Sequence, residues 1–208
     1  MNAKERVEWV YRSQTKQELA ERYDQWAKEY EQDLINQGRV VGKEPAVELL
    51  LKYLPKEARI LDAGAGTGTI GELLHQLGYH NLVAIDLSEG MLAEARQKNI
   101  YRELHQMVLG DPLDFPTASF DAVISVGVFT LAHAPASSFD ELIRITKSGG
   151  YIVFTIRPDF YETSDFKNKL SALEADGQWA LVEVGEKYQA HPQGDPDIYL
   201  QAWVYNVN

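Results

Sequence analysis

The stretch that most restricts how this 208-residue chain can fold is Asp62-Ala63-Gly64-Ala65-Gly66-Thr67-Gly68. It follows the apolar pair Ile60-Leu61 and precedes a helical pattern that begins near Thr69. Glycine at every second position removes Cβ from a tight strand-to-helix turn, so a ligand can lie against bare peptide. The first amides of the following helix are expected to face that ligand. The loop is of the nucleotide-binding type, and the question becomes which nucleotide.

A literal Gly-x-Gly-x-x-Gly at Gly66, Gly68 and Gly71 would suggest a dinucleotide. Its register is poor, because Gly64 already stands at the strand end and the triplet counted from Gly64 meets Thr69 instead of glycine. Asp62 lies inside the strand end, where a carboxylate suits hydrogen bonds from an ammonium group or from the turn. Asp-x-Gly-x-Gly-x-Gly resembles motif I of the class I S-adenosylmethionine-dependent methyltransferases. That resemblance implies that Asp62, Gly64, Ala65, Gly66, Thr67 and Gly68 wrap the methionine part of the cofactor. A glycine-rich turn with no ligand is the plain alternative.

The remaining elements suit the same architecture. Residues 13–35 read as one helix capped by Thr15 with Glu18, and Leu19, Tyr23, Trp26, Tyr30 and Leu34 share a face. A core-facing stripe is the plain reading. Tyr23-Asp24-Gln25-Trp26-Ala27-Lys28-Glu29-Tyr30 also resembles the helix that closes over the cofactor in small methyltransferases, which makes Tyr23, Trp26 and Tyr30 lid candidates. A second helix starts at Pro45, and helices are expected over 69–77, 88–98, 136–147 and 162–175. Strands are expected at 60–61, 81–86, 105–109, 120–127, 151–156, 179–186 and 198–207. Asp86 ends the second strand 22 residues after Gly64, where paired ribose hydroxyls would arrive, with Leu87 and Met91 against the base; capping the next helix is its alternative role. An acidic turn at Asp111-Pro112-Leu113 resembles the family's adenine-reading segment, and an ordinary Asp-Pro turn competes with that reading.

In doubly wound sheets ligands sit beyond the carboxyl ends of the strands. The segment from Val126 and Gly127 to His133 then overhangs the reacting centre, with Gly127 allowing close backbone approach. His133 alone of five histidines falls there and is the candidate base or substrate partner, with a solvated loop histidine as the alternative. Arg157 leaves the fifth strand on the same edge, as a substrate anion clamp or a surface residue. Lys147-Ser148-Gly149-Gly150 is similar to the family's Lys-Pro-Gly-Gly turn, with serine in place of proline.

The resemblance runs from Tyr23 to the last strand. Tyr-Asp-Gln-Trp-Ala-x-x-Tyr, the run from Phe120 to Gly127 leading to Ala134-Pro135, and residues 173–179 place the chain nearest the branch that includes the Williams–Beuren syndrome region methyltransferase-like protein. It implies an α/β, Rossmann-like fold: a seven-stranded, mostly parallel sheet with an antiparallel last strand, helices on both faces and an N-terminal helical lid. One domain is expected over 1–208, with helices and lid to residue 55, the cofactor core over 56–157 and C-terminal strands beyond. The implied reaction is in-line transfer of a methyl group from S-adenosylmethionine to a nitrogen, oxygen or sulfur nucleophile.

Composition narrows the partners. A net charge of −11 with no basic cluster argues against nucleic acid. There is no apolar run of membrane length, and the Met-Asn-Ala-Lys-Glu-Arg start lacks a signal-peptide core. With no cysteine and no histidine–acid cluster, neither disulfide nor metal is expected, and the chain suits the cytoplasm. A small-molecule acceptor is the first reading. A protein side chain, a nicotinamide oxidoreductase and a non-catalytic binder of the cofactor are the alternatives.

Overall fold

The computed structural model describes residues 1–39, 44–131, 133–194 and 197–208. The apolar segments that alternate with amphipathic helices form one mixed sheet. Its first half is parallel: β1 (Ile60–Ala63) pairs with β2 (Leu82–Asp86) and β4 (Phe120–Phe129), while β3 (Glu103–Gln106) extends β2. Strand β5 (Thr146–Ile156) pairs parallel with β4. The last strand, β8 (Tyr199–Val207), inserts antiparallel between β5 and β6 (Trp179–Val184). The order is β3-β2-β1-β4-β5-β8-β6, with a two-residue β7 (Tyr188–Gln189) added to β8 beyond the seven strands expected.

Helices cover both faces. On one side α6 (Ser138–Ile145) and α8 (Phe166–Ala175) seal a core of Phe120, Phe129, Phe139, Phe154, Phe166 and Trp179. On the other α3 (Pro45–Leu50) and α4 (Thr69–Gln76) bury Val47, Leu50, Ile60, Ile70 and Leu74. The stretch expected as one helix over 162–175 is α7 (Pro158–Thr163) and α8, separated at Ser164-Asp165. The strand expected at 105–109 ends at Gln106, and β5 starts earlier than expected, with its pairing to β4 shifted between Phe120 and Ala122.

The N-terminal stripe is part of a third core. Helix α2 (Lys16–Asn36) is capped by Thr15 as expected, and it packs against α1 (Ala3–Tyr11), an element the periodicity reading omitted. Val10, Leu19 and Trp26 are buried together there. Arg6 donates to Asp33 at 2.6 Å and the Trp26 indole donates to the same oxygen at 2.8 Å, which ties the two helices. A second tie runs to α5 (Glu89–Gln97): Asp24 accepts from the Ser88 hydroxyl at 2.5 Å and from the Gly90 amide at 2.7 Å. A Cβ at Gly90 would lie 2.6 Å from Asp24 Cα, so the contact between these helices requires glycine.

Candidate functional site

The parallel strands end at one edge, and α2 lies over it. Between them is a cavity of about 290 Å³. Its floor is Gly64, Gly66 and Asp86, one wall is Leu87, Met91, Met107, Val108 and Leu109, and Leu19, Tyr23 and Tyr30 form the roof. A larger cavity of about 730 Å³ shares Tyr23, Tyr30, Val126 and Gly127 with the first and runs toward α1, α7 and the segment after β7. The arrangement is a nucleoside-sized space opening into a chamber.

The glycines divide by task. Gly64 (φ +80°) lets β1 pass the end of β4, since a Cβ there would meet Val128 at 2.3 Å. Gly66 (φ +55°) and Gly127 (φ +73°) face open space: an added Cβ would have its nearest neighbour 4.0 Å away at Gly66 and none within 4 Å at Gly127. These two positions present bare backbone to the cavities. Gly68 and Gly71 instead make room for Tyr101, whose ring atoms would lie 3.0 Å and 2.2 Å from Cβ atoms placed there.

Tyr101 changes the expected role of the loop. Its hydroxyl donates to Asp62 at 2.5 Å and accepts from the Gly71 amide at 3.2 Å. The Gly71 amide in the first turn of α4 is thus satisfied by a tyrosine, and neither Asp62 nor Gly68 lines either of the two cavities. Asp62 is 1% exposed, and burial pushes its carboxyl up to about 7 against the hydrogen bond from Tyr101. Ala65 and Thr67 of the loop are buried, and among the described residues the Thr67 hydroxyl has no partner. No sequence reading singled out Tyr101; the signal for it was the pair of glycines at 68 and 71.

Asp86 ends β2 at the floor of the smaller cavity. One carboxylate oxygen accepts from the Gly66 amide at 2.8 Å and the other from the Ser88 amide at 2.9 Å, while the side chain still lines the smaller cavity. Burial raises its carboxyl to about 6, with the backbone donors at Ser88, Gly66 and Leu87 opposing. Two amide bonds leave acceptor capacity on a carboxylate. Leu87 and Met91 line the apolar wall of the smaller cavity.

The segment after β3 differs. Because β3 ends early, Met107, Val108 and Leu109 form the wall, and Asp111, Pro112 and Leu113 stand outside it. Asp111 pairs with Lys16 at 2.7 Å on the rim, and Leu113 is 4% exposed, with its amide donating to Glu141 and its carbonyl accepting from Arg144.

Of the lid residues, Tyr23 and Tyr30 line both cavities, while Trp26 is 3% exposed and lines only the larger one. His133 reaches the site, 2.7 Å from the Tyr23 hydroxyl through Nε2, with Nδ1 3.0 Å from the Leu131 carbonyl and 2.9 Å from the Thr130 hydroxyl. Burial holds its imidazole below the usual range and raises Tyr23 well above its own, so the neutral ring accepts from a protonated tyrosine. Arg157 lines the larger cavity and is paired with Asp159 at 2.5 Å. Among the described residues no group of three or more histidines and acids is placed to hold a metal, and no helix is long and apolar enough to cross a membrane.

A doubly wound sheet with an antiparallel last strand, a glycine turn at β1 and an acid at the end of β2 define a class I methyltransferase domain. The methyltransferase domain family matches residues 61–154. Over 205 residues the chain is 33% identical to the demethylmenaquinone methyltransferase of Renibacterium salmoninarum, covering 91% of this chain and 83% of that protein. Human methyltransferase-like protein 27 is 35% identical over 167 residues, 76% of this chain and 66% of the relative. Two other curated relatives are spanned to 39% and 12% of their length. A solved Thermotoga maritima methyltransferase, described as a possible histamine N-methyltransferase, shares the fold at TM-score 0.65 and 18% identity, over 89% of this chain and 98% of that one.

The chain therefore belongs to the S-adenosylmethionine-dependent methyltransferases, whose cofactor is S-adenosylmethionine. The residues present fit that group: bare peptide at Gly66 and Gly127, a carboxylate with spare acceptors at Asp86, and an apolar wall for a purine.

Proposed function

We propose that this chain transfers the methyl group of S-adenosylmethionine to a nitrogen, oxygen or sulfur atom of a small molecule held in the larger cavity. The observation that carries this reading is the chamber of about 730 Å³ that meets the smaller cavity at Tyr23, Tyr30, Val126 and Gly127. Its walls include Val7, Val10, Leu34, Phe160 and Leu200. A partly enclosed, largely apolar chamber suits a small acceptor better than a protein side chain presented along an acidic groove. The net charge of −11 weighs in the same direction against a nucleic-acid acceptor.

In this reading Asp86 receives the ribose hydroxyls, Leu87, Met91 and Leu109 flank the purine, and Gly66 and Gly127 let the amino-acid portion pass close to the backbone. When bound, the cofactor supplies a methyl group already activated by a positive sulfur. The protein's part is alignment and exclusion of water, and well-oriented encounters contribute roughly 7–11 kcal/mol. Tyr23 and Tyr30 present aromatic rings at the junction, where a cation is attracted by about 0.5–2 kcal/mol. His133 acts through Tyr23: its Nε2 fixes the hydroxyl, and that engagement makes it a positioning residue.

The test is a radiolabelled methyl-transfer screen of low-molecular-weight amines, phenols, thiols and carboxylic acids beside a protein extract. Label in a small acceptor supports the reading. Label only in protein transfers the site to the other acceptor class, and cofactor binding with no transfer to any acceptor would favour a non-catalytic binder.

A further inference from the structure

The charges of the larger cavity are matched within its own wall. Arg39 faces Glu44 at 3.9 Å, and Arg157 pairs with Asp159 at 2.5 Å. Burial, together with the Arg39 charge, holds the His191 imidazole below its usual range and so neutral. Lys4 and Glu8 stand exposed at the rim, where Glu8 lies 3.6 Å from Arg12. Behind that rim the described wall keeps no spare countercharge for an entering ion, and an ion taken from water without one is costly. The wall offers rings instead: Tyr11, Tyr23, Trp26, Tyr30, Phe160 and Tyr188 all line the chamber. Such faces suit an uncharged aromatic guest.

A polar device stands where the two cavities meet. Tyr23 lines both, and its hydroxyl is 2.7 Å from His133 Nε2. His133 Nδ1 lies 3.0 Å from the Leu131 carbonyl, which can only accept, so Nδ1 carries the ring proton and Nε2 presents a lone pair to Tyr23. The Thr130 hydroxyl, 2.9 Å from Nδ1, braces the same tautomer. The pair can take a proton at the Tyr23 oxygen while the tyrosine's own proton passes to Nε2, so Tyr23 is never left as a phenolate. An amine that enters neutral needs no such relay, whereas a phenol is still protonated near neutral pH and does.

We propose that the acceptor is an uncharged aromatic molecule with a phenol-type hydroxyl, which gives up its proton through Tyr23 to His133. The inference rests on the methyltransferase reading and narrows its acceptor. The phenol oxygen bonds the methyl carbon as the bond from that carbon to sulfur breaks, and sulfur keeps the electron pair. The phenol proton moves to the Tyr23 oxygen, and the Tyr23 proton moves to Nε2. The site loses the sulfonium charge as it gains an imidazolium, so the number of buried charges does not rise.

Phenols that share one ring and one hydroxyl test the charge argument: p-ethylphenol, p-hydroxyphenylacetate and tyramine, titrated by calorimetry into protein holding S-adenosylhomocysteine. The uncharged probe is expected to bind about tenfold or more tightly than either ion. A charged probe that binds as well as p-ethylphenol overturns the proposal. His133→Gln tests the relay, since its amide oxygen still accepts from Tyr23 but does not take the proton. In radiolabelled transfer to p-ethylphenol, kcat should then fall by about a hundredfold or more while the calorimetric affinity is kept. The loss for p-nitrophenol, already largely ionised in the same mildly alkaline buffer, should be about tenfold smaller or less. An unchanged kcat, equal losses for the two phenols, or a loss of binding that matches the loss of rate overturns the proposal. If His133→Gln fails to fold, Tyr23→Phe interrupts the relay at its other end and is judged by the same outcomes. Transfer to an amine, thiol or carboxylic acid but to no phenol leaves the methyltransferase reading standing and overturns this one. Wild-type protein that does not bind S-adenosylhomocysteine refutes that reading instead, and the phenol titrations on the free protein then still decide the chamber.

Discussion

Replacing Asp86 with asparagine separates binding from folding more sharply than any other single change. The carboxylate spends one oxygen on the Gly66 amide at 2.8 Å and the other on the Ser88 amide at 2.9 Å. Asparagine keeps the size and one of these bonds but sets an NH2 against a backbone donor, at a cost of about 1–3 kcal/mol. Part of that is returned, because burial already raises the native carboxyl to about 6 and the variant buries no charge. The ligand-free protein is therefore expected to stay folded with a midpoint within a few degrees, at about 2–4 °C per kcal/mol for a domain of this size. Binding suffers far more. Two charge-assisted bonds from a ribose are together worth roughly 3–6 kcal/mol, so affinity falls by about 10²–10⁴. Calorimetry should show this loss equally for S-adenosylhomocysteine and 5′-methylthioadenosine, which share the ribose. An affinity within about threefold of wild type would remove Asp86 from the site and leave it as a cap of α5.

Other outcomes follow from the same geometry. Asp62 is held at about 7 in the fold, against about 3.9 in an unfolded chain, so the native state binds more protons between those values and its stability falls as pH rises through that window. Asp62→Asn, which still accepts from Tyr101, should remove that fall. The difference between the two melting curves over pH 5–8 isolates Asp62 from other titrating groups, and parallel curves would contradict the assignment. Asp24→Ala removes the bonds to Ser88 and Gly90 that hold the lid to α5. Stopped-flow release of the bound nucleoside is then expected to quicken by about tenfold for roughly 1–2 kcal/mol lost, and an unchanged rate would show that the lid needs no such tie. Gly90→Ala should destabilise the ligand-free protein by about 1–3 kcal/mol in urea through its contact with Asp24 Cα. Tyr23→Phe deprives His133 Nε2 of its donor, so the imidazole should titrate differently by NMR, while an unchanged titration would place His133 outside this pair.

The sheet order and the nucleotide edge were legible because they are written in backbone chemistry. Gly66 at the exit of β1 faces open space and Asp86 at the exit of β2 keeps acceptor capacity, so their positions could be read from backbone chemistry, whereas Gly64 also makes room for Val128. What was not legible depended on who fills a space. Gly68 was read as a ligand contact, and with Gly71 it makes room for Tyr101, a residue 30 positions from Gly71. The wall after β3 moved from residues 111–113 to 107–109 because strand ends follow pairing with β2, which hydropathy does not record. Helix α1 had a readable sign in Asn2 and Glu5, which form a capping box, but its apolar stripe is short and gains its partner only when α2 is in place.

A crystal structure of the chain with S-adenosylhomocysteine tests the central claim most directly. The ribose is expected on Asp86, the purine between Leu87, Met91 and Leu109, and the sulfur beside Gly127 at the mouth of the larger cavity. A nucleoside bound elsewhere, or bound at this edge with Asp86 still making only its contacts to Gly66 and Ser88, would contradict it.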